Sequence, residues 1–500
     1  MKNSISRILL FSFVAVSLCY LSCNKKNLDL LPHGPTEASY FLQESDFSKA
    51  IFGVYAKLSD VFWYNGGNPH SPMLYLAGDD ITTNASAEPF EVFGSLQPTS
   101  GDISSLWATY YQLIARANVV LGKIEVADES IYVTPSLKNS HKGEALFLRG
   151  WSYFNLWNYW KTAPLRNERV VSNDQFLPSP SEGTQLLDQA ILDFTQAAEL
   201  LPENWEESNR GRSTKNAANG MLGKSWVFKA SATKNIADYS AAITAFNKIA
   251  GIALTDNFDD NFSPDLENNS ESLFEYQATQ PFAFDNVWLS NDFDNPIGSM
   301  SAYWGYYSNH WSLFGKSQFF ATPKLVSAFE EGDPRLDKTL SAEDRSIRKY
   351  VNPDKLSQSG VASVNNPRLL RFSDVLLLKA EAVLQSDGSA SEAITLINQV
   401  RTRARNMVNG GTAPANYSVA ETDKTVIMNW IMKERFIELA GEGQRWFDLR
   451  RWQMQGIITL DNNFFNSNVP MAFDATKHLD LPIPNSELDV NPNMRQNPNY

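Results

Sequence analysis

The sequence predicts an all-α protein that consists of a tetratricopeptide-like helical-repeat scaffold and an irregular, loop-rich lobe. Segments with apolar residues at helical spacing come mostly in pairs along the chain. Two regions, residues 61–97 and 255–320, are instead rich in Gly, Asn, Pro and aromatic residues. No repeat of about 34 residues aligns cleanly, so the scaffold is predicted from the paired helices.

The composition is that of a globular protein with a large core. Of the 500 residues, 43% are hydrophobic and 20% are charged, as expected for a folded protein. The 13 Trp, 18 Tyr and 30 Phe residues exceed what a core requires, and we expect some of them to bind a ligand. The net charge of −13 argues against nucleic acid as a partner, because nucleic-acid binding needs a basic surface.

The N-terminus is predicted to be a lipoprotein signal peptide, residues 1–22. Lys2 and Arg7 precede an apolar segment, residues 8–21, which is the order of charge and hydrophobicity in a secretory signal. The apolar segment is too short for a membrane span, which needs about 20 apolar residues.

Cys23 is the predicted lipidation site. A small residue, Ser22, directly precedes it, as in a lipobox, and acyl chains on Cys23 would hold the protein on a membrane. Residues 23–36 are then a lipidated tether, and residues 37–500 are expected to form a single body. Once the signal peptide is removed, no second cysteine remains for a disulfide.

The helices are predicted from apolar spacing. Ser45 can cap the first helix, whose apolar face comprises Phe47, Ile51, Val54, Tyr55 and Leu58. The later helices are predicted over residues 106–124, 142–161, 180–201, 214–232, 239–249, 371–385, 390–405 and 421–440. The helix over residues 142–161 is apolar on nearly every side, which is typical of a helix buried between neighbours.

Residues 433–452 are dense in both charge and aromatic rings. Glu434, Glu438 and Glu442 recur every four residues, so on one helix they share a face and repel one another. The two glycines that flank Glu442 disfavour a continuous helix. We therefore expect a helix, a tight glycine turn and a second short helix, tied by arginine–carboxylate pairs between aromatic rings.

Arginines within the same segment are the expected partners of these glutamates, namely Arg435, Arg445, Arg450 and Arg451. The predicted structural signature comprises Glu434, Arg435, Glu438, Glu442, Arg445, Asp448 and Arg450. A structural ion-pair network in the core explains this pattern better than a catalytic site does, because such networks cluster charges just as active sites do.

This segment resembles the C-terminal signature of the SusD/RagB family of outer-membrane nutrient-binding lipoproteins. Four further segments resemble family motifs and follow in the family's order: residues 143–159 (GEALFLRGWSYFNLWNY), 211–218 (GRSTKNAA), 367–381 (PRLLRFSDVLLLKAE) and 481–500. The resemblance covers nearly the whole mature chain. It supports the tetratricopeptide-like scaffold more strongly than the spacing of the helices does.

The resemblance also implies a function. A lipid-anchored protein of the outer membrane, facing the cell exterior, would capture oligosaccharides and deliver them to a TonB-dependent transporter of the SusC type. Capture of oligopeptides, as by RagB-type members, is the close alternative. A helical glycoside hydrolase and a helical scaffold that binds only protein are two further alternatives.

Aromatic residues beside Asn and Asp in the two loop regions are the predicted ligand site. One face of a sugar ring packs on a flat aromatic ring, while its hydroxyl groups bond to carboxamides and carboxylates. The candidates are Trp63, Tyr64, Trp288, Asn291, Tyr303, Trp304, Tyr306, Tyr307 and Trp311. Packing against the scaffold is the alternative for any single residue, whereas the cluster as a whole favours a binding site.

We expect no catalytic residues, no metal site and no cofactor. The five histidines are scattered without metal-ligand spacing, and no phosphate loop, dinucleotide fingerprint or nucleophile elbow is present in the sequence. Adjacent acids at residues 79–80 and 259–260 could serve glycoside hydrolysis. With 56 acidic residues in the chain, however, such pairs arise by chance.

Overall fold

A computed structural model describes residues 40–62, 64–65, 68–69, 71–83, 88–278, 317, 319–352, 363–465 and 470–500. The described helices are, in chain order, α1 (Glu44–Ala56), α2 (Ser59–Phe62), α3 (Ser71–Tyr75), α4 (Pro89–Val92), α5 (Gly101–Glu125), α6 (Leu137–Trp160), α7 (Gln185–Leu200), α8 (Lys215–Thr233), α9 (Ile236–Phe246), α10 (Pro323–Ala328), α11 (Arg335–Thr339), α12 (Phe372–Gln385), α13 (Ala390–Asn406), α14 (Lys424–Glu438), α15 (Arg445–Gln455), α16 (Ala475–His478) and α17 (Asn485–Val490).

The helices form a row. Helices α5 to α9 pack in sequence order, each against the next, and α1 packs against α5 and α6. The row continues beyond α9 with α12, against which α13 and α14 pack, and α15 contacts α8. This arrangement confirms the predicted all-α helical-repeat scaffold.

The first helix is not capped by Ser45, and this prediction was wrong. The carboxylate of Asp46 accepts the backbone N–H groups of Leu42 at 3.3 Å and Gln43 at 3.2 Å. These contacts move the helix start to Glu44, so that Ser45 lies inside α1. An acidic residue in the first turn stabilises the start of a helix in this way.

Other helix starts also differ from the predicted ones: α5 and α6 begin five residues earlier, and α14 begins three residues later. The starts of α7 and α9 differ for local reasons. α7 begins at Gln185 rather than at residue 180, because Pro180 forms a β-bridge with Pro164. α9 begins three residues earlier than predicted, because the side chain of Asn235 caps it. Both shifts depend on contacts that helical spacing does not encode.

Helix α6 packs between α5 and α7, and every residue in Gly143–Trp160 is buried, as predicted. Gly150 allows α7 to approach closely, because a Cβ atom there would lie 3.1 Å from side-chain atoms of Asp193 and Phe194. The guanidinium of the buried Arg149 donates to Asp193 through two nitrogens, at 2.9 and 2.7 Å. This bidentate ion pair offsets the free-energy cost of burying the charge of Arg149.

The strands are short, and two of the three described strand pairs join distant parts of the chain. They are β1 (Tyr64–Asn65), β2 (Asn68–Pro69), β3 (Ile81–Thr83), β4 (Ser272–Glu275), β5 (Phe319–Ala321) and β6 (Arg368–Arg371). Antiparallel pairs form between β1 and β2, between β3 and β5, and between β4 and β6. The chain between β4 and β5 contains most of the predicted ligand residues, and both of these strands are fixed to the body by their partners.

Candidate functional site

Most of the predicted ligand residues lie outside the described residues. They are Trp63, Trp288, Asn291, Tyr303, Trp304, Tyr306, Tyr307 and Trp311. Of Tyr64, the structure describes only the backbone, in β1. The predicted lipidation site, Cys23, also lies outside the described residues.

β3, which lies within residues 61–97, pairs with β5, which begins at the end of residues 255–320. Thr83, the last residue of β3, is the partner of Phe319, the first residue of β5. The chain therefore leaves β3 at the place where the segment that ends at residue 318 returns to β5. Sequence alone did not reveal this pairing, since more than 230 residues separate the two strands.

The opposite end of this strand pair is held by a junction that we define by Asp79, Asp80, Thr322, Gly441 and Arg445. The Thr322 hydroxyl donates to the carbonyl oxygen of Asp79 at 2.6 Å, and its N–H donates to that of Asp80 at 2.8 Å. The N–H of Gly441 donates to Oδ2 of Asp80 at 3.1 Å. The Nη2 atom of Arg445 donates to Oδ2 of Asp79 at 3.1 Å.

Both aspartates of the junction are buried, with 0% of Asp79 and 2% of Asp80 exposed. Burial opposes ionisation of Asp79, but attraction to Arg445 and to Lys324 outweighs burial and lowers its pKa. Burial raises the pKa of Asp80 to about 6 against the hydrogen bond from Gly441, and repulsion by Asp79 adds to the rise. Because neither carboxylate faces solvent, this acid pair is not placed to attack a glycosidic bond.

The C-terminal signature has the predicted arrangement of a helix, a glycine turn and a second helix. α14 ends at Glu438 and α15 begins at Arg445. Gly441 and Gly443 in the turn have φ values of 70° and 73°, which glycine adopts without the strain that a side chain imposes. The turn presents the N–H of Gly441 to the junction described above.

The glutamates of the signature take their partners from elsewhere in the chain, so the expected pairing within the segment was wrong. Oε1 of Glu434 accepts from Arg335 at 2.5 Å, and Oε2 accepts from Arg401 at 2.9 Å. Three arginines converge on the carboxylate of Glu438, and these are Arg335, Arg371 and Arg403. Glu442 accepts from Arg371 and Lys349.

The arginines of the signature face other acids. Arg435 pairs with Asp374 and Asp448, Arg445 with Asp79, Arg450 with Asp480, and Arg451 with Glu381 and Asp448. The physical reason is helical geometry, because neighbouring residues such as Glu434 and Arg435 point about 100° apart around a helix axis. The segment therefore joins several parts of the chain, while within the segment Asp448 pairs with both Arg435 and Arg451.

The network is suited to a structural role. Burial opposes ionisation of Glu438, but its three arginine partners outweigh burial and hold its pKa well below the ordinary value. Arg403 and Arg371 likewise hold the pKa of the buried Glu271 at about 2, against the effect of burial. Carboxylates held ionised by arginines in this way are poorly placed to exchange protons with a substrate near neutral pH.

A groove of about 590 Å³, which the sequence did not predict, lies between α5, the loop after α6, and α17. Its wall includes Trp107, Tyr111, Phe176 and Val490, of which Phe176 is 57% and Val490 is 67% exposed. The groove is lined by three segments that lie far apart in the sequence, so no local sequence pattern predicts it. Exposed apolar side chains are its main structural signal.

The described chain holds no group of three or more His, Cys, Asp or Glu side chains that could bind a metal ion. Within the same residues, no helix has both the length and the apolar character needed to cross a membrane.

The fold and the signature define an all-α, tetratricopeptide-like protein with a loop-rich lobe. Residues 300–500 match the SusD family, and residues 76–226 match a family described as starch-binding and associating with the outer membrane. The chain is a member of the SusD/RagB family, as its sequence motifs indicate.

Similar proteins extend over almost the whole chain. A SusD-like protein of Formosa agariphila is 24% identical over 538 aligned positions, which cover 98% of this chain and 99% of the relative. A SusD superfamily protein of known crystal structure from Bacteroides vulgatus is 25% identical, with a TM-score of 0.71 over 92% of this chain and 100% of that protein.

Two further solved structures share the fold. A laminarin-binding SusD-like protein is 22% identical, with a TM-score of 0.72 over 92% of this chain and 100% of its own. The surface glycan-binding protein A of Bacteroides fluxus is 20% identical, with a TM-score of 0.73 over 93% and 100% of the two chains. At this identity, the likeness establishes the fold of the present chain.

Proposed function

We propose that this protein is a glycan-binding lipoprotein of the outer membrane that captures oligosaccharides and delivers them to a SusC-type TonB-dependent transporter. Membership of the SusD/RagB family supports this proposal, as does the shared fold with a protein that binds laminarin. The pairing of Thr83 with Phe319 supports the proposal from the structure, because it joins a residue within the region 61–97 to the end of the region 255–320.

The proposed ligand site comprises the aromatic and amide side chains of those two regions: Trp63, Tyr64, Trp288, Asn291, Tyr303, Trp304, Tyr306, Tyr307 and Trp311. Flat rings for the faces of sugar rings and amides for hydroxyl groups match the chemistry of a neutral glycan. The proposed role is binding without catalysis, since the buried acid pair of the junction and the signature glutamates are all engaged within the body.

The proposed anchor is a lipid on Cys23, followed by a tether over residues 23–36 and a single body over residues 37–500. A lipid anchor would keep the captured glycan within reach of a barrel in the same membrane, which raises the effective concentration of the two partners. We propose that the body faces the cell exterior.

Isothermal titration calorimetry of the soluble chain, residues 24–500, against a panel of polysaccharides and peptides tests the proposal. Laminarin oligosaccharides belong in the panel because a protein of the same fold binds laminarin. We expect binding of a glycan, and we expect Trp288→Ala, Trp304→Ala or Trp311→Ala to weaken it by up to about tenfold, since one stacking ring contributes about 0.5–1.5 kcal/mol.

The matched control is Trp226→Ala, on α8, where the indole is only partly buried and lies against Lys229. This variant should bind as the unaltered chain does. Binding of peptides without glycans would contradict the proposal in favour of oligopeptide capture. Release of reducing ends from a bound glycan would contradict a role limited to binding.

A further inference from the structure

The groove along α5 is held together by hydrogen bonds between its three walls. The Tyr111 hydroxyl of α5 donates to the carbonyl oxygen of Pro164, in the loop after α6, at 2.7 Å. The side-chain amide of Asn491, which directly follows α17, donates to the carbonyl oxygen of Pro178 in the same loop at 2.9 Å. The groove is therefore preformed, and a preformed site loses less freedom when it binds a ligand.

The same loop holds an aromatic ring in an exposed position. The side chain of Phe176 lines the groove and is exposed. Two nitrogens of Arg166 fix the backbone beneath it: Nη2 donates to the carbonyl oxygen of Phe176 at 3.0 Å, and Nη1 donates to that of Gln175. These contacts fix the backbone of the loop and leave the ring available to a ligand, as is common where apolar side chains are exposed at binding sites.

Polar side chains line the groove beside this ring. Gln112 is exposed on α5, on the same helix face as the small residues Ala108 and Ala115. Its carboxamide has no hydrogen-bond partner among the residues that the structure describes. Glu487 of α17 is partly buried and adds a carboxylate to the opposite wall. The groove therefore combines a flat ring with groups that bond to hydroxyls.

The charge and polarity of the groove favour a neutral glycan as its occupant. Its charged lining residues are two arginines and two glutamates, namely Arg166, Arg169, Glu168 and Glu487. Their formal charges cancel, so the groove offers no net attraction to a charged ligand. The apolar face of a partner helix would bury the carboxamide of Gln112 without a hydrogen bond, which is costly. The hydroxyl groups of a sugar would satisfy it.

We infer that this groove is a second glycan-binding site, in which a sugar ring packs on Phe176 while its hydroxyl groups bond to Gln112 and Glu487. The inference rests on the proposed function, but it uses none of the residues of the proposed loop site. The volume of about 590 Å³ lies within the usual range for ligand sites, about 300–1,000 Å³. A polysaccharide that reaches both sites is held more tightly than by either one, because the second contact is intramolecular.

A single fluorine label in the groove tests the inference directly. Phe176→4-fluorophenylalanine is introduced into the soluble chain, residues 24–500, and its fluorine NMR resonance is followed during titration. The titrants are neutral oligosaccharides of laminarin, starch, cellulose and xylan. We expect at least one of them to shift the resonance until it saturates, because the bound sugar covers a ring that is otherwise exposed.

A pair of matched variants identifies the polar contact. Gln112→Ala should weaken the binding that the label reports by about two- to tenfold, as expected for the loss of one hydrogen bond. Gln399→Ala, at an exposed position of α13, should leave it unchanged. Both positions are exposed on helices, where alanine is favourable, so both variants should fold. Trp304→Ala, in the proposed loop site, should not alter the response of the label.

The outcomes separate this inference from the proposed function. If calorimetry detects glycan binding while no oligosaccharide shifts the label, the inference is overturned and the proposed function stands. If calorimetry detects no glycan either, both fail. A shift that Gln112→Ala does not weaken would overturn the inference. The same holds for a shift that appears only with an amphipathic peptide, or only as the concentration of the protein itself rises, because the occupant would then be a protein.

Discussion

The guanidinium of Arg371 donates two hydrogen bonds to the carboxylate of Glu442, from Nε at 2.8 Å and from Nη2 at 2.9 Å. The same guanidinium donates to Glu438 and Glu271 at 2.7 Å. Arg371 is the last residue of β6, whereas Glu442 lies in the turn between α14 and α15. This contact therefore fixes the C-terminal signature to the pair formed by β4 and β6.

Replacing this arginine by lysine should destabilise the fold. Arg371→Lys retains the charge but loses the planar fork that serves three carboxylates at once. Breaking a buried ion pair typically costs about 3–5 kcal/mol, and we expect a loss of that order in the free energy of unfolding, measured by urea titration. The control is Arg210→Lys, at an exposed pair with Glu207, where we expect less than about 1 kcal/mol. Equal effects of the two variants would contradict a special role for the fork.

The sequence predicted much of the scaffold because its helices have strong local patterns. The apolar sequence of residues 142–161 indicated a helix buried on all sides, and α6 is such a helix. The glycines beside Glu442 likewise indicated a turn between two helices. These features depend on residues close together in the chain.

The ion-pair partners of the signature residues could not be predicted from local sequence patterns. The number of acids and arginines in the signature indicated ion pairs, but the partners of Glu438 come from α11, β6 and α13. Pairing of β3 with β5 also depends on residues far apart in sequence. Such long-range contacts are set by the packed fold and leave no local periodicity.

The buried carboxylate of Glu271 should make stability depend on pH in the acid range. Its pKa is held at about 2 in the fold, because Arg403 and Arg371 outweigh the effect of burial, whereas the ordinary pKa of a glutamate is 4.5. A lowered folded-state pKa stabilises the fold above about pH 4.5, and this contribution is lost as the pH falls toward 2. Glu271→Gln should therefore be less stable than the unaltered chain at pH 6, by roughly 3 kcal/mol at most.

The difference between the two proteins should shrink as the pH is lowered from about 4.5 to about 3. Urea unfolding at each pH measures it. Glu125→Gln, at the exposed end of α5 in a surface pair with Lys142, should have a small effect at every pH. A constant difference for Glu271→Gln over the whole range would contradict the linkage.

Lipidation of Cys23 should decide where the full-length protein resides. Cys23→Ser removes the predicted lipid acceptor, so we expect loss of labelled palmitate and movement of the protein from the membrane fraction to the soluble fraction. Cys19→Ser is the matched control, because this cysteine lies within the predicted signal peptide and should leave labelling unchanged. Persistent labelling of Cys23→Ser would contradict the predicted anchor.

Two helical glycines should respond in opposite directions to alanine. A Cβ atom on Gly223 of α8 would lie 2.4 Å from the ring of Phe246 in α9, whereas one on Gly122 of α5 would meet nothing within 4 Å. Gly223→Ala should therefore destabilise the protein by about 1–3 kcal/mol through overpacking. Gly122→Ala should be neutral or stabilising by up to about 1 kcal/mol, because alanine favours the helix over glycine. Urea unfolding of both variants compares them directly, and a tolerated Gly223→Ala would show that α8 and α9 separate at little cost.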